Sequence, residues 1–300
     1  MPDNTGPEHD QAASITDGKA QPDAVTESSR QPWLTQLHDV DIISVSGADS
    51  ERFLQGQLSC NMSQLTDSHS LRAALCNLKG RVIADLRVLR LDQSILLMCS
   101  AGMADIVLTT LTKYSVFFKT SLQKVSDHYV VLGVAGADSE SLLASCGVSC
   151  PQTQDACTQI GGGVVARIQE APARFCCVLS DAHAELATTL SSRFASGSEE
   201  DWRLADITAG VAHIRPGQQE LHTPQVLNYD LNGTIDFKKG CYTGQEVVAR
   251  MYYRAEAKKR LRYISWPTSQ VEPSGGDVID SIERPSGQTH ALAIMPVSTE

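Results

Sequence analysis

The string Gly-Ala-Asp-Ser-Glu occurs twice in this chain, at 47–51 and at 136–140, and its surroundings repeat with it. Each copy follows a short β-rich run, Ile42-Ile43 in one case and Val130-Val131-Leu132 in the other. Each precedes apolar residues at helical spacing: Phe53, Leu54 and Leu58, or Leu142 and Leu143. Asp49 and Asp138 stand where a helix N-cap belongs, and a short carboxylate there can accept free first-turn N–H groups. Two βα starts 89 residues apart predict two similar units joined in tandem.

The remaining periodicities fill out both units. The first continues with strand-like runs at 71–77, 81–90 and 94–99. A helix over 102–114 follows, with Ile106, Leu108 and Leu111 on its apolar side. The second continues with runs at 163–169 and 174–180 and a helix over 182–194. Strand, helix, strand, strand, helix is a ferredoxin-like order of elements, so the fold class is α+β. Residues 203–213 read as helical. A passage rich in Gly, Pro and Asn then runs to Asp236, too long for a simple connector and therefore a candidate functional loop. Beyond a helix over 244–252, alternation predicts strands at 260–266, 276–283 and 289–297, a small antiparallel C-terminal element. Residues 1–31 carry almost no large apolar side chains, cannot offset the entropy of ordering, and read as a disordered acidic tail.

Charge and cysteine usage narrow the function classes. The net charge of −10 argues against binding nucleic acid by bulk electrostatics, and so against direct tRNA contact. The charge is uneven: residues 238–262 carry eight Lys and Arg against Glu246 and Glu256. No apolar run is long enough to cross a bilayer, so no membrane partner is expected. The nine cysteines are odd in number in a large chain, which argues against a disulfide framework and for a reducing, cytoplasmic setting. Cys146, Cys150 and Cys157 have no zinc or iron–sulfur spacing, and no resident metal is expected.

The most informative stretch for chemistry is Lys238-Lys239-Gly240-Cys241-Tyr242-Thr243-Gly244-Gln245-Glu246. Thr243 and Glu246 fit a capping box, which would put Cys241 just before a helix N-terminus. Free amides, the macrodipole and two lysines would there favour the thiolate. Cys241 could then act as a nucleophile, exchange with a partner's disulfide or persulfide, or ligate a cluster transiently with another protein's ligands. Folding could bring Cys60 or Cys76 close to it. His213 and His222, in the preceding loop, are the candidate bases.

This cysteine motif resembles the signature of the YgfZ-type folate-binding proteins, relatives of the aminomethyltransferase T-protein of the glycine cleavage system. Support comes from Gly47–Gln57, from Lys79-Gly80-Arg81, and from Pro224-Gln225 and Asn228. The resemblance covers about residues 33–297. It implies a T-protein-like fold in which the repeated units surround a pocket for tetrahydrofolate or a derivative, with a small C-terminal β-barrel alongside. It divides the chain into 32–125 with 200–256 as the folate-binding domain, 126–199 as a second ferredoxin-like unit, and 257–300 as the barrel element. It implies a role in maintaining iron–sulfur enzymes and in tRNA modification, in particular methylthiolation, with enzymes such as a tRNA methylthiotransferase as partners. Two tryptophans of that family are associated with folate. Trp202 matches one and would supply a stacking face; the other falls at Val40, with Trp33 seven residues early. Lys239, Arg250 and Arg254 are the cations expected to meet the glutamate tail.

Two departures matter. Where the T-protein relatives carry paired acids, this chain has Ala84-Asp85, which argues against aminomethyl transfer. Only 59 residues follow Cys241, short for a whole barrel. Two readings therefore stand: a folate-binding accessory factor with Cys241 essential, and a folate-dependent one-carbon transferase.

Overall fold

Both copies of the repeated string turn a strand into a helix. The computed structural model describes residues 14–15, 31–254 and 256–297. Strands β1 (Ser14–Ile15) and β2 (Trp33–Gln36) precede the first unit. That unit runs β3 (Val40–Ser46), α1 (Ser50–Gln55), β4 (Leu71–Cys76), β5 (Val82–Leu91), β6 (Ser94–Ser100), α2 (Ala104–Ser115) and β7 (Ser121–Lys124). The second runs β8 (Tyr129–Ala135), α3 (Ser139–Ser145), β9 (Cys157–Gln159), β10 (Gly163–Gln169), β11 (Arg174–Ser180), α4 (Ala184–Arg193) and β12 (Ala195–Ser196). Helices α5 (Glu199–Thr208) and α6 (Gln245–Arg254) follow, then β13 (Lys259–Pro267), β14 (Asp277–Glu283) and β15 (Gln288–Pro296). Apart from Ser14–Ile15 and residue 31, the tail assigned to 1–31 lies outside the described residues.

The turn at each repeat is built the same way. Gly47 and Gly136 both have positive φ, 119° and 104°, where other residues are strained. At Gly47 a Cβ would lie 2.3 Å from the Lys119 carbonyl oxygen, so the site also excludes side chains by contact. Asp49 and Asp138 occupy the N-cap positions, but neither side chain caps its helix. Asp49 Oδ2 instead accepts from Lys119 N at 2.8 Å, tying the turn to the chain that leads into β7.

The two sheets have the same layout, with one exchange between them. The first has order β4-β5-β6-β3-β7 and the second β9-β10-β11-β8-β2-β12. Strand β2 leads directly into β3 yet pairs antiparallel with β8 of the other unit. Strand β7 leads directly into β8 yet pairs antiparallel with β3. Strands β2 and β7 are thus swapped reciprocally, and each hydrogen-bonds the unit it does not precede. Residues 33–36 therefore belong to the second sheet, not with the 32–125 block to which the sequence assigned them.

The sheets face one another and carry helices on their outer sides. Between them lie Leu89, Leu91, Leu96 and Met98 of the first sheet against Val131, Val164, Cys176 and Val178 of the second, with Trp33 and Trp202. Helices α1 and α2 cover the outer face of the first sheet through Phe53, Leu54, Val107 and Leu111. Helices α3 and α4 cover the second through Leu143 and Leu190. Each such fully buried aliphatic side chain contributes ~1.5–3 kcal/mol. The C-terminal element is an open antiparallel sheet of order β1-β13-β15-β14, with no closed barrel among the described residues. No described helix is long and apolar enough to cross a membrane.

Candidate functional site

The cysteine loop is held on three sides. Asp236 Oδ1 accepts from the backbone N–H groups of Lys238 and Lys239 at 2.7 and 3.1 Å, setting the turn before the motif. Lys239 then points inward. Its side chain is buried, and its ammonium donates to the carbonyl oxygens of Gln55 at 2.7 Å and of Leu58, at and just beyond the end of α1. It also lies 5.0 Å from the centre of the Tyr242 ring. Burial lowers its pKa to about 8. On the far side of the cysteine, Tyr242 is buried and Thr243 N donates to Gly56 O at 3.1 Å. Gly244 packs on the β4–β5 turn. Cys241 projects between these anchors and is the exposed member of nine free cysteines.

Two sequence expectations for this loop change. The Thr243/Glu246 capping box does not form: Thr243 Oγ1 donates to Gln57 Oε1 at 3.2 Å, and Glu246 is exposed. Gln245 makes the reciprocal bond instead, its Oε1 accepting from Tyr242 N at 3.2 Å. Helix α6 begins at Gln245, whose own N–H goes to Tyr242 O at 3.1 Å, and no described group hydrogen-bonds the Cys241 thiol. Second, Lys239 is occupied by protein carbonyls, which removes it from the cations facing a ligand. Lys238, Arg250 and Arg254 are exposed. Cys60 and Cys76 are both buried, and burial pushes each thiol up to about 12.

A second polar cluster sits at one end of the layer between the two sheets. Asp85, on β5, accepts from Ile214 N at 2.6 Å and lies 2.8 Å from His213 Nδ1. His213 Nε2 lies 3.5 Å from Asp206 of α5. Arg174, the first residue of β11, donates to Asp206 Oδ1 at 2.9 Å and to Trp202 O at 3.1 Å. Its Nε is buried without a partner. Burial alone would lower His213, but Asp85 and then Asp206 outweigh it and raise its pKa to about 10. Burial would raise Asp206, but Arg174 and His213 hold it down at about 2. His213 is therefore an ion-paired imidazolium, not a free base for Cys241. Its side chain is 38% exposed, so the cluster opens to solvent there.

Trp202 belongs to this cluster as a packed residue. The Arg174 guanidinium lies over its ring at 4.0 Å, and Trp33 meets it edge-on at 6.3 Å. A Cβ on Gly133 would lie 2.6 Å from the ring. With 8% exposure the ring is not free to stack on a ligand while Arg174 covers it. Trp33 thus sits beside Trp202 in space, where the sequence register had left Val40. Arg174 and Asp206 escaped the sequence reading, although both carried a signal: a charge inside an otherwise apolar run, and a carboxylate one turn after Trp202 on the buried side of α5. Ala84 is buried in the core on the opposite side of β5 from Asp85. A carboxylate at 84 would not share the cleft of Asp85, so its absence carries no weight against transferase chemistry. No group of three or more potential metal ligands occurs among the described residues.

Known proteins resemble this chain over most of its length. The GCVT N-terminal domain family matches residues 31–185. The tRNA-modifying protein YgfZ of Klebsiella pneumoniae (strain 342) is 33% identical over 255 residues, 84% of this chain and 78% of that protein. The YgfZ of Escherichia coli O127:H6 is 32% identical over the same shares. This chain belongs to the YgfZ family. The crystal structure of glycine cleavage system aminomethyltransferase T from Bartonella henselae shares the fold, with a TM-score of 0.73 over 90% of this chain and 79% of that one, at 18% identity. The stretches that carry the YgfZ resemblance meet in space. Gly47–Gln57 ends at the carbonyls that hold Lys239, and Lys79-Gly80-Arg81 forms the turn under α6. Gln225 and Asn228 join α6 to β13, through Gln225 Nε2 to Met251 O at 3.4 Å and Asn228 Nδ2 to Leu261 O at 2.8 Å.

Proposed function

We propose that this protein is a folate-binding accessory factor that supports iron–sulfur enzymes in tRNA modification, with Cys241 as its working thiol. The observation that carries this reading is the presentation of one sulfur. Eight cysteines are wholly or partly buried, and the exposed one stands on a loop fixed by buried neighbours on both sides. A thiol held this way can meet a partner protein's disulfide, persulfide or cluster without unfolding its own chain. The YgfZ relatives are named as tRNA-modifying proteins. Nine unpaired cysteines suit a reducing compartment, and the reading places the protein in the cytoplasm.

Tetrahydrofolate is assigned to the cleft at Asp85 and His213. The donor set fits: a carboxylate can accept N–H bonds from a pterin edge, and nearby arginines match the tail carboxylates. Arg174 also lines a cavity of only about 10 Å³ with Trp33, Pro172 and Ala205. That is far below the ~300–1,000 Å³ typical of ligand sites, so a bound folate would lie outside it, against the solvent-open side of Asp85 and His213. His213 would orient Asp85, and folate would supply the one-carbon unit or reducing equivalents. Calorimetric titration with tetrahydrofolate tests the assignment. Saturable binding that is weakened by Asp85→Asn and kept by Cys241→Ser is expected. Absence of binding, or equal binding by Asp85→Asn, would contradict it.

A further inference from the structure

The cysteine loop borders a surface that neither the thiol nor the folate cleft uses. Phe237 stacks on Tyr252 with ring centres 3.8 Å apart and planes 18° apart. Tyr253 meets both edge-on, at 6.0 and 5.0 Å. Tyr252 is 42% exposed and Tyr253 68%, far more than three packed aromatics need. Arg250, Tyr253 and Arg254 stand at i, i+3 and i+4 on α6, so they share one helix face. Both arginines are exposed, and Lys238 adds a third exposed cation just before Cys241. Three other cations of this stretch are engaged elsewhere: Lys239 with the Gln55 and Leu58 carbonyls, Lys259 with Asp277 and Arg260 with Asp230.

We propose that this surface, Lys238 with Arg250, Tyr252, Tyr253 and Arg254, binds an unpaired segment of RNA on the helix that the Cys241 loop leads into. The inference rests on the tRNA-modification reading above and adds direct contact to it. Aromatic rings give each base a stacking surface, and arginines flanking the rings meet the phosphates. An acidic peptide would use the cations but has no need of three clustered rings. The net charge of −10 had argued against RNA contact, but it describes the whole chain. The potential that a phosphate meets within one Debye length of α6 is set by the local balance, which in 238–262 is eight Lys and Arg against Glu246 and Glu256. A base stacked on Tyr253 would lie on the helix that the Cys241 loop leads into.

Fluorescence anisotropy tests this with the full chain and two labelled probes: an RNA stem-loop with unpaired purines in its loop, and a perfectly paired RNA duplex of equal length. The stem-loop should bind more tightly than the duplex. Tyr253→Ala should weaken stem-loop binding at least about fivefold, the lower end of the effect of one stacked base, and Tyr253→Phe should restore it. Arg250→Glu with Arg254→Glu should weaken both probes and flatten the salt dependence. Circular dichroism melts check that each variant folds, and the charge reversal is independent of the ring substitution. The proposal is overturned by no binding, by equal binding of duplex and stem-loop, by a Tyr253→Ala variant that binds like wild type, or by poly-glutamate displacing the RNA at equal concentration. Any of these, with the Cys241→Ser defect intact in cells, would sink RNA contact alone and leave the accessory role standing.

Discussion

Gly244 lies so close to Asn77 that a methyl group on its Cα would sit 2.4 Å from the Asn77 carbonyl oxygen. Its φ of 84° adds a second restriction. The cysteine loop is thereby locked to the β4–β5 turn at a point that tolerates no side chain. Gly240, on the other side of Cys241, has no neighbour within 4 Å of a Cβ and no positive φ. The two glycines of the motif therefore differ in kind. Gly244→Ala should cost at least ~1–2 kcal/mol from backbone conformation alone. Gly240→Ala should lie within about 0.5 kcal/mol of wild type. Urea unfolding of both variants measures the contrast; equal effects would refute the packing assignment.

Lys239 should behave as a structural residue. Removing its ammonium in Lys239→Ala leaves the Gln55 and Leu58 carbonyls without their donor, a loss of ~1–3 kcal/mol per unsatisfied buried group. Tetrahydrofolate affinity should be unchanged in the folded fraction. A variant with normal stability but weakened folate binding would return Lys239 to the ligand-binding set.

The His213 ion pairs set a pH window. Unfolded, this histidine titrates near 6.5, and in the fold its pKa rises to about 10. Because the folded value is the higher, its stabilisation is fully present below pH 6.5 and fades as the pH climbs towards 10. Thermal unfolding of wild type and His213→Gln should differ most at mildly acidic pH, with the gap closing across that range. A gap that widens with pH would show that the imidazole is held neutral.

Arg174 and Asp206 form a buried pair that should not survive the loss of one partner. Arg174→Met leaves the Asp206 carboxylate buried beside Trp202 with His213 alone facing it, a loss of up to ~3–5 kcal/mol. Adding Asp206→Leu should recover much of it, since the poorly compensated charge goes too. Additive losses in the double variant would show that the two side chains act independently.

Most of the regular elements were legible in the sequence because each carries its own periodicity. The repeated string located β3–α1 and β8–α3, and apolar runs located β5, β6, β10 and β11. The exchange of β2 and β7 was not legible. Four-residue strands such as Trp33–Gln36 carry no record of which sheet they join, and their partners lie far off in the chain, at Leu132–Ala135 of β8 for one and Ile43–Ser46 of β3 for the other. The motif was read correctly as a loop entering a helix, but its cap was not. Thr243-Gly244-Gln245-Glu246 satisfies the local rule, yet Gln57 and Gly56 from the first unit claim Thr243. For Trp202 the residue was legible and its cover was not: Arg174, 28 residues upstream, lies over the ring and bonds its carbonyl. A tertiary partner of that kind leaves only a faint trace, a charge within a buried strand.

The central claim is that the Cys241 sulfur does the work. Its most direct test is the level of methylthiolated nucleosides in tRNA from cells that lack their own copy of this protein and express either the wild type or Cys241→Ser. Wild type should restore methylthiolation, and Cys241→Ser, present at equal abundance and binding tetrahydrofolate normally, should not. Full restoration by Cys241→Ser would contradict the account.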